Sequence, residues 1–155
     1  MSKQTFYERL QEQLEELISA ETDWLANLAN AAALLYHELT DVNWVGFYLL
    51  QGKELVLGPF QGRPACVRIP LGKGVCGNAA QKRSTIVVPD VHEFPGHIAC
   101  DPASRSELVV PWISGDTLIG VLDLDSPMLA RFDSEDAKGL ERMIPVLNRY
   151  AIPRR

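Results

Sequence analysis

The spacing of apolar side chains switches from a helical period to a strand period and back again along the chain. Near the start, Tyr7, Leu10, Leu14, Leu17 and Ile18 recur at intervals of three and four, which predicts an amphipathic helix. Thr5 followed by Glu8 forms a capping-box pattern at its opening. Leu25, Leu28, Ala32, Leu35 and Tyr36 repeat the same period behind a capping Thr22, so two helices form a hairpin over residues 5–38.

The period then becomes two. Asn43 to Leu50 is apolar on both parities, as a strand covered on both faces would be. Gln51-Gly52-Lys53 turns it into a partner strand from Glu54 to Pro59. After the loop Gln61-Gly62-Arg63-Pro64, the segment Ala65 to Pro70 alternates, with Ala65, Val67 and Ile69 facing one way and Cys66 and Arg68 the other. Val75 to Lys82 predicts a short helix, and Thr85 to Pro89 a further strand. Asp90 to Arg105 has no period and reads as a long loop, the kind that in a compact domain usually carries function. Ser106 to Ile113 and Thr117 to Asp125 form a hairpin around Ser114-Gly115-Asp116. Asp133 with Asp136 caps a final helix bearing Ala137, Leu140, Ile144 and Leu147, in which Pro145 should end the first segment or kink it. Strands reached by hairpins rather than by repeated βαβ units predict an α+β fold, an antiparallel central sheet flanked by helices. One domain spans 1–155, with the helical hairpin at 5–38, the sheet and loop region at 42–126 and the last helix at 133–150.

Composition narrows the class. A chain of 155 residues, 46% hydrophobic and 23% charged, is a single globular domain rather than a disordered segment. Its net charge of −5 argues against a nucleic-acid surface. The uncharged run from Trp24 to Tyr36 is too short to span a bilayer, and no signal peptide is evident, so a cytoplasmic location is expected. Three cysteines without a CxxC pair make no closed disulfide framework. In a reducing compartment they are thiols open to chemistry.

Asp123 and Asp125 are the first chemical signal. At i and i+2 on a strand they share a face, about 6–7 Å apart, while Leu122 and Leu124 take the other. Like charges so close and partly buried should raise at least one carboxyl pKa; a solvent-facing sheet edge is the plain alternative. Glu107 can join the same face from the neighbouring strand. Cys100 ends the aperiodic loop close to His97, whose charged form would favour a thiolate that nearby acids oppose. Cys66 lies on the face of Arg68, and Cys76 sits among glycines as a packing residue. His92, His97 and Cys100, spaced H-x4-H-x2-C, could chelate zinc with a fourth ligand from elsewhere. His37 reads as a solvated helix residue, and Gly72-Lys73-Gly74 lacks the spacing of a phosphate loop.

Several stretches together resemble the free methionine-(R)-sulfoxide reductases, a GAF-fold enzyme family. They are Asn43-Trp44-Val45-Gly46-Phe47-Tyr48, Leu57-Gly58-Pro59-Phe60-Gln61-Gly62, Ala65-Cys66-Val67-Arg68-Ile69-Pro70 and Gly72-Lys73-Gly74-Val75-Cys76-Gly77. Asp90-Val91-His92, Gly96-His97-Ile98-Ala99-Cys100-Asp101 and Gly120-Val121-Leu122-Asp123-Leu124-Asp125-Ser126 complete the set. The resemblance implies that Cys100 is the catalytic cysteine and Cys66 the resolving one, with Cys76 a subsidiary thiol. It implies that Glu107, Asp123 and Asp125 are the acids of the substrate pocket, and Trp44 and Tyr48 its aromatic wall. Arg63-Pro64 and Pro145 depart from the family pattern, and Pro145 bears on any oligomer contact built by the last helix.

On this resemblance the substrate is free methionine-(R)-sulfoxide, no cofactor is bound, and no nucleic acid or membrane is a partner. Catalysis would run through a Cys100 sulfenic acid and a redox-active disulfide with Cys66. Thioredoxin, recharged by NADPH through thioredoxin reductase, would reduce that disulfide as part of a response to oxidative stress. A homodimer is compatible with it. Which carboxylate protonates the sulfoxide and which binds the ammonium stays open. Two other readings also stand: a GAF module that binds a small ligand without turnover, which at this length would lack an output domain, and a zinc-stabilised structural domain.

Overall fold

A computed structural model describes residues 1–98 and 100–154; Ala99, within one of the quoted motifs, and the terminal Arg155 lie outside the described residues. Helices α1 (Lys3–Ile18) and α2 (Trp24–Glu38) lead into strands β1 (Trp44–Gln51), β2 (Glu54–Gly62) and β3 (Arg68–Pro70). Helix α3 (Gly74–Lys82), strand β4 (Ile86–Val88) and a single 3₁₀ turn (Val91–Glu93) follow. The hairpin β5 (Ser106–Ser114) and β6 (Thr117–Ser126) precedes α4 (Ser134–Glu141) and α5 (Met143–Tyr150). The six strands form one sheet in the order β3-β2-β1-β6-β5-β4, and every pairing is antiparallel. This is the α+β architecture the periodicity predicts.

Strand alternation divides the interior into two cores. Phe47, Leu49, Leu108, Val110, Trp112, Leu122 and Leu124 pack on one face against the stripes of α1, α2, α4 and α5. Trp44, Tyr48, Val109 and Val121 pack on the other against Val75, Cys76, Ala79 and Ala80 of α3. The first face is sealed by four helices. The second is covered only by α3 and the long loops, and that incomplete cover leaves room for a cleft.

Several local expectations shift. Ser2 rather than Thr5 caps α1, its hydroxyl accepting from the Thr5 N–H, so Thr5 stands inside the first turn. Asp23 rather than Thr22 caps α2, because a carboxylate is the stronger acceptor at the positive end of a helix. The predicted alternation from Ala65 fails before Arg68: Val67 is 59% exposed although Ile69 is buried. Residues 63–67 leave the ladder, where Pro64 has no N–H to donate. The last helix divides at Arg142, three residues before Pro145, which falls in the first turn of α5 where a missing N–H costs nothing. Asp133 and Asp136 do make the full capping box on α4.

Candidate active site

The acidic face lies in the middle of the sheet. Strand β6 runs between β1 and β5, which excludes the plain alternative of a solvent-facing edge for Asp123 and Asp125. Glu107 pairs with Asp125 across the β5–β6 ladder, and Trp44 pairs with Asp125 from the other side. Register therefore gathers three carboxyls and an indole on one patch of sheet. Asp123 and Glu107 are buried, 5% and 6% exposed. Burial is the first cause that pushes all three carboxyls above their ordinary range. For Glu107 and Asp125, the charge of Asp123 pushes further in the same direction. Asp123 is held back by hydrogen bonds with Glu107 and Cys76 that favour its charged form. Its Oδ1 is buried without a hydrogen-bond partner. Glu107 and Asp125 are thus biased furthest toward the protonated form, beside Asp123 with its unused oxygen.

Over this patch lies the disulfide between Cys66 and Cys100, whose Cα atoms are 5.6 Å apart. The sulfurs come from residues 63–67, between β2 and β3, and from the connection between the 3₁₀ turn and β5. Tyr48 donates its hydroxyl to the Cys66 carbonyl at 2.8 Å, and the Trp44 indole N–H donates to the Arg63 carbonyl at 3.1 Å. The aromatic wall thus also tethers the segment that carries Cys66. Trp44 stacks between Phe60, with ring centroids 5.3 Å apart, and Tyr48, 6.0 Å away. Gly46 permits this stack, since a Cβ there would meet the Trp44 ring and the Phe60 side chain.

The cleft is lined by Trp44, Tyr48, Cys76, Cys100, Glu107, Asp123 and Asp125, so the structure brings these together, with Cys66 joined through its disulfide. Cys76 is the free thiol, buried on α3. Burial first, and then the charges of Asp123 and Glu107, push its thiol well above the usual range, so it is held protonated. His97 also lines the cleft, but its Nε2 stands 3.8 Å from Glu107 Oε1, and burial lowers its pKa. A neutral imidazole gives the Cys100 thiolate less help than the sequence suggests. His92 is exposed, and Cys100 spends its sulfur on the disulfide, so His92, His97 and Cys100 do not form a zinc set here. The pocket also uses Ile98, Asp101 and Ser104, which sequence reasoning missed. Their signals were membership of the aperiodic loop and, for Ile98 and Asp101, of the motif Gly96 to Asp101. Asn43 approaches two of them, its amide 3.5 Å from Asp101 Oδ2 and 3.4 Å from Ser104 Oγ.

Comparison with known proteins agrees with this geometry. Residues 23–144 match the GAF domain model. The free methionine-R-sulfoxide reductase of Escherichia coli is 52% identical over 96% of this chain and 90% of its own. The enzyme of that name from Saccharomyces cerevisiae is 42% identical over 98% of this chain and 89% of its own. The structure of free methionine-R-sulfoxide reductase from Neisseria meningitidis in complex with its substrate superposes with a TM-score of 0.92, at 49% identity, covering 97% of this chain and 91% of that one. Whole-length similarity of that degree, on the same fold, means that the chain belongs to the GAF-domain family of free methionine-R-sulfoxide reductases.

Proposed function

We propose that the chain reduces free L-methionine-(R)-sulfoxide to methionine. The observation that carries this reading is the Cys66–Cys100 disulfide poised over the buried acids Glu107 and Asp123 and the half-buried Asp125. A sulfoxide oxygen leaves poorly unless it is protonated, and a carboxyl that keeps its proton near neutral pH can supply one. Glu107 and Asp125 fit that role, since each is raised by burial and by the charge of Asp123. Asp123, with its unused oxygen, fits the substrate's ammonium. A requirement for a free amino group would then explain a preference for the amino acid over a peptide residue.

In this scheme the Cys100 thiolate attacks the sulfoxide sulfur as the oxygen is protonated. The hydroxyl so formed then passes from the substrate sulfur to the Cys100 sulfur, breaking both the S–O bond and the newly formed S–S bond, so that Cys100 becomes a sulfenic acid and methionine leaves reduced. The Cys66 thiol then attacks the sulfenic sulfur, expelling water and forming the disulfide. An external dithiol of the thioredoxin class, recharged from NADPH, attacks that disulfide and returns both thiols while itself becoming oxidised. No bound cofactor takes part, and the setting is a reducing one such as the cytoplasm. Among the described residues, no helix is long and apolar enough to cross a membrane.

The test is NADPH consumption with thioredoxin, thioredoxin reductase and the free R sulfoxide. Cys100→Ser should abolish turnover, whereas Cys66→Ser should permit about one turnover per enzyme before the rate collapses. Retained turnover in Cys100→Ser would overturn the nucleophile, and equal use of the S epimer would overturn the stereochemistry.

A further inference from the structure

Cys76 has no part in the chemistry above, yet besides packing in the second core its sulfur meets two carboxylates. A sulfur and two carboxylate oxygens, from Cys76, Glu107 and Asp123, lie within 4.8 Å of one another, and all three residues are buried. Asp123 is 5% exposed and its Oδ1 lacks a partner. His97 stands on the same side, its Nε2 3.8 Å from Glu107 Oε1. Sulfur, imidazole and two carboxylates are together a zinc donor set. Tetrahedral zinc with bonds of about 2.0–2.3 Å holds its ligands on the order of 3.5 Å apart, so Cys76, Glu107 and Asp123 need contract only modestly, while the His97 imidazole, outside that cluster, must swing in from beside Glu107. The free space in the cleft is about 40 Å³. A water needs roughly 10–15 Å³ of such space, so an ion with one or two waters fits.

We infer that Cys76, Glu107 and Asp123, with His97 as the fourth donor, form a binding site for a thiophilic divalent cation such as Zn²⁺. Electrostatics favours it. Asp123 offers a buried, unpartnered Oδ1 beside the Glu107 carboxyl, carboxylate oxygens that a dication can bridge. The sulfur and carboxylate donors sit on rigid elements, Cys76 on α3, Glu107 on β5 and Asp123 on β6. The cation would occupy the place assigned above to the substrate's ammonium. Zinc would therefore inhibit competitively, a consequence that rests on the proposed function, whereas binding itself does not.

The protein oxidised at Cys66–Cys100 tests the site without turnover, because Cys76 is then the free thiol. Titration with Co²⁺ should give one equivalent of binding and a near-ultraviolet sulfur-to-metal charge-transfer band, which one equivalent of Zn²⁺ then removes. Cys76→Ser should abolish the band and weaken Zn²⁺ binding by at least about tenfold, while His97→Gln should weaken binding and leave the band in place. Circular dichroism of each variant separates loss of a ligand from loss of the fold. Absence of binding to the oxidised protein, or binding unaffected by Cys76→Ser in a folded variant, overturns the site. Either result leaves the reductase reading intact, since that reading is judged by sulfoxide turnover.

Discussion

The hydroxyl of Tyr48 donates to the backbone carbonyl of Cys66 at 2.8 Å, joining the aromatic wall of the cleft to the segment that presents one sulfur of the disulfide. Residues 63–67 have no ladder of their own, and Leu57 N–H to the Val67 carbonyl is their nearest sheet bond. The two aromatic donors, Tyr48 and Trp44, hold them together with that bond and the disulfide.

Tyr48→Phe keeps the ring and removes that bond. A neutral hydrogen bond contributes about 1 kcal/mol net, so closure of the disulfide should slow by about fivefold. Single-turnover experiments should show methionine released at the parent rate while the sulfenic acid persists longer. Equal slowing of both steps would mean that Tyr48 acts on the substrate instead.

Glu107→Gln should raise stability at high pH and remove activity. A buried carboxyl whose folded pKa lies above its ordinary value holds a proton that the unfolded chain gives up, so stability falls as pH rises from the ordinary carboxylate range through the folded value. The isosteric amide cannot ionise. Denaturant unfolding should therefore find the variant's advantage growing from pH 4 upward; an advantage that does not change with pH would sink the argument.

Gly139→Ala should destabilise although it improves helix propensity by about 1 kcal/mol. A Cβ at Gly139 in α4 would enter the ring of Tyr7, which is fully buried and donates to Asp136 Oδ1 at 2.7 Å. Overpacking of this kind costs about 1–3 kcal/mol, with loss of the Tyr7–Asp136 bond as an addition. Thermal unfolding of Gly139→Ala against Gly139→Ala/Tyr7→Leu measures it, since the smaller side chain should recover part of the loss.

Gly46→Ala should leave the helical core intact and damage the cleft. Its methyl group would displace the Trp44 ring, which stacks on Phe60 and Tyr48. A rise in KM larger than the fall in kcat is the expected signature, and an unchanged KM would show that Trp44 does not hold substrate.

The elements were legible in the sequence where one periodicity ran uninterrupted. Both N-terminal helices, the β1–β2 and β5–β6 hairpins and the capping box at Asp133 follow from spacing and turn residues, because each closes its hydrogen bonds locally. The caps at Ser2 and Asp23 were misplaced because serine, threonine and aspartate compete on nearly equal terms within a residue or three. Alternation at Ala65–Ile69 misled because Cys66 is drawn off the sheet by the disulfide and by Tyr48, neither of which leaves a local mark.

For the site, period two placed Asp123 and Asp125 on one face and the opposite parity in the helical core, and the structure keeps both. The face was readable, but its exposure was not. Whether an acidic strand face meets water or a closed cleft depends on strand order and on what covers it, both non-local. Here β6 is central and α3 lies above it, so Glu107 and Asp123 are buried and burial pushes their carboxyl pKa values up. The same non-local packing carried Cys76 and His97 to Glu107 and Asp123, a grouping that no sequence spacing among them announces. Local chemistry is written in the order of residues; desolvation is set by which distant segments fold over them.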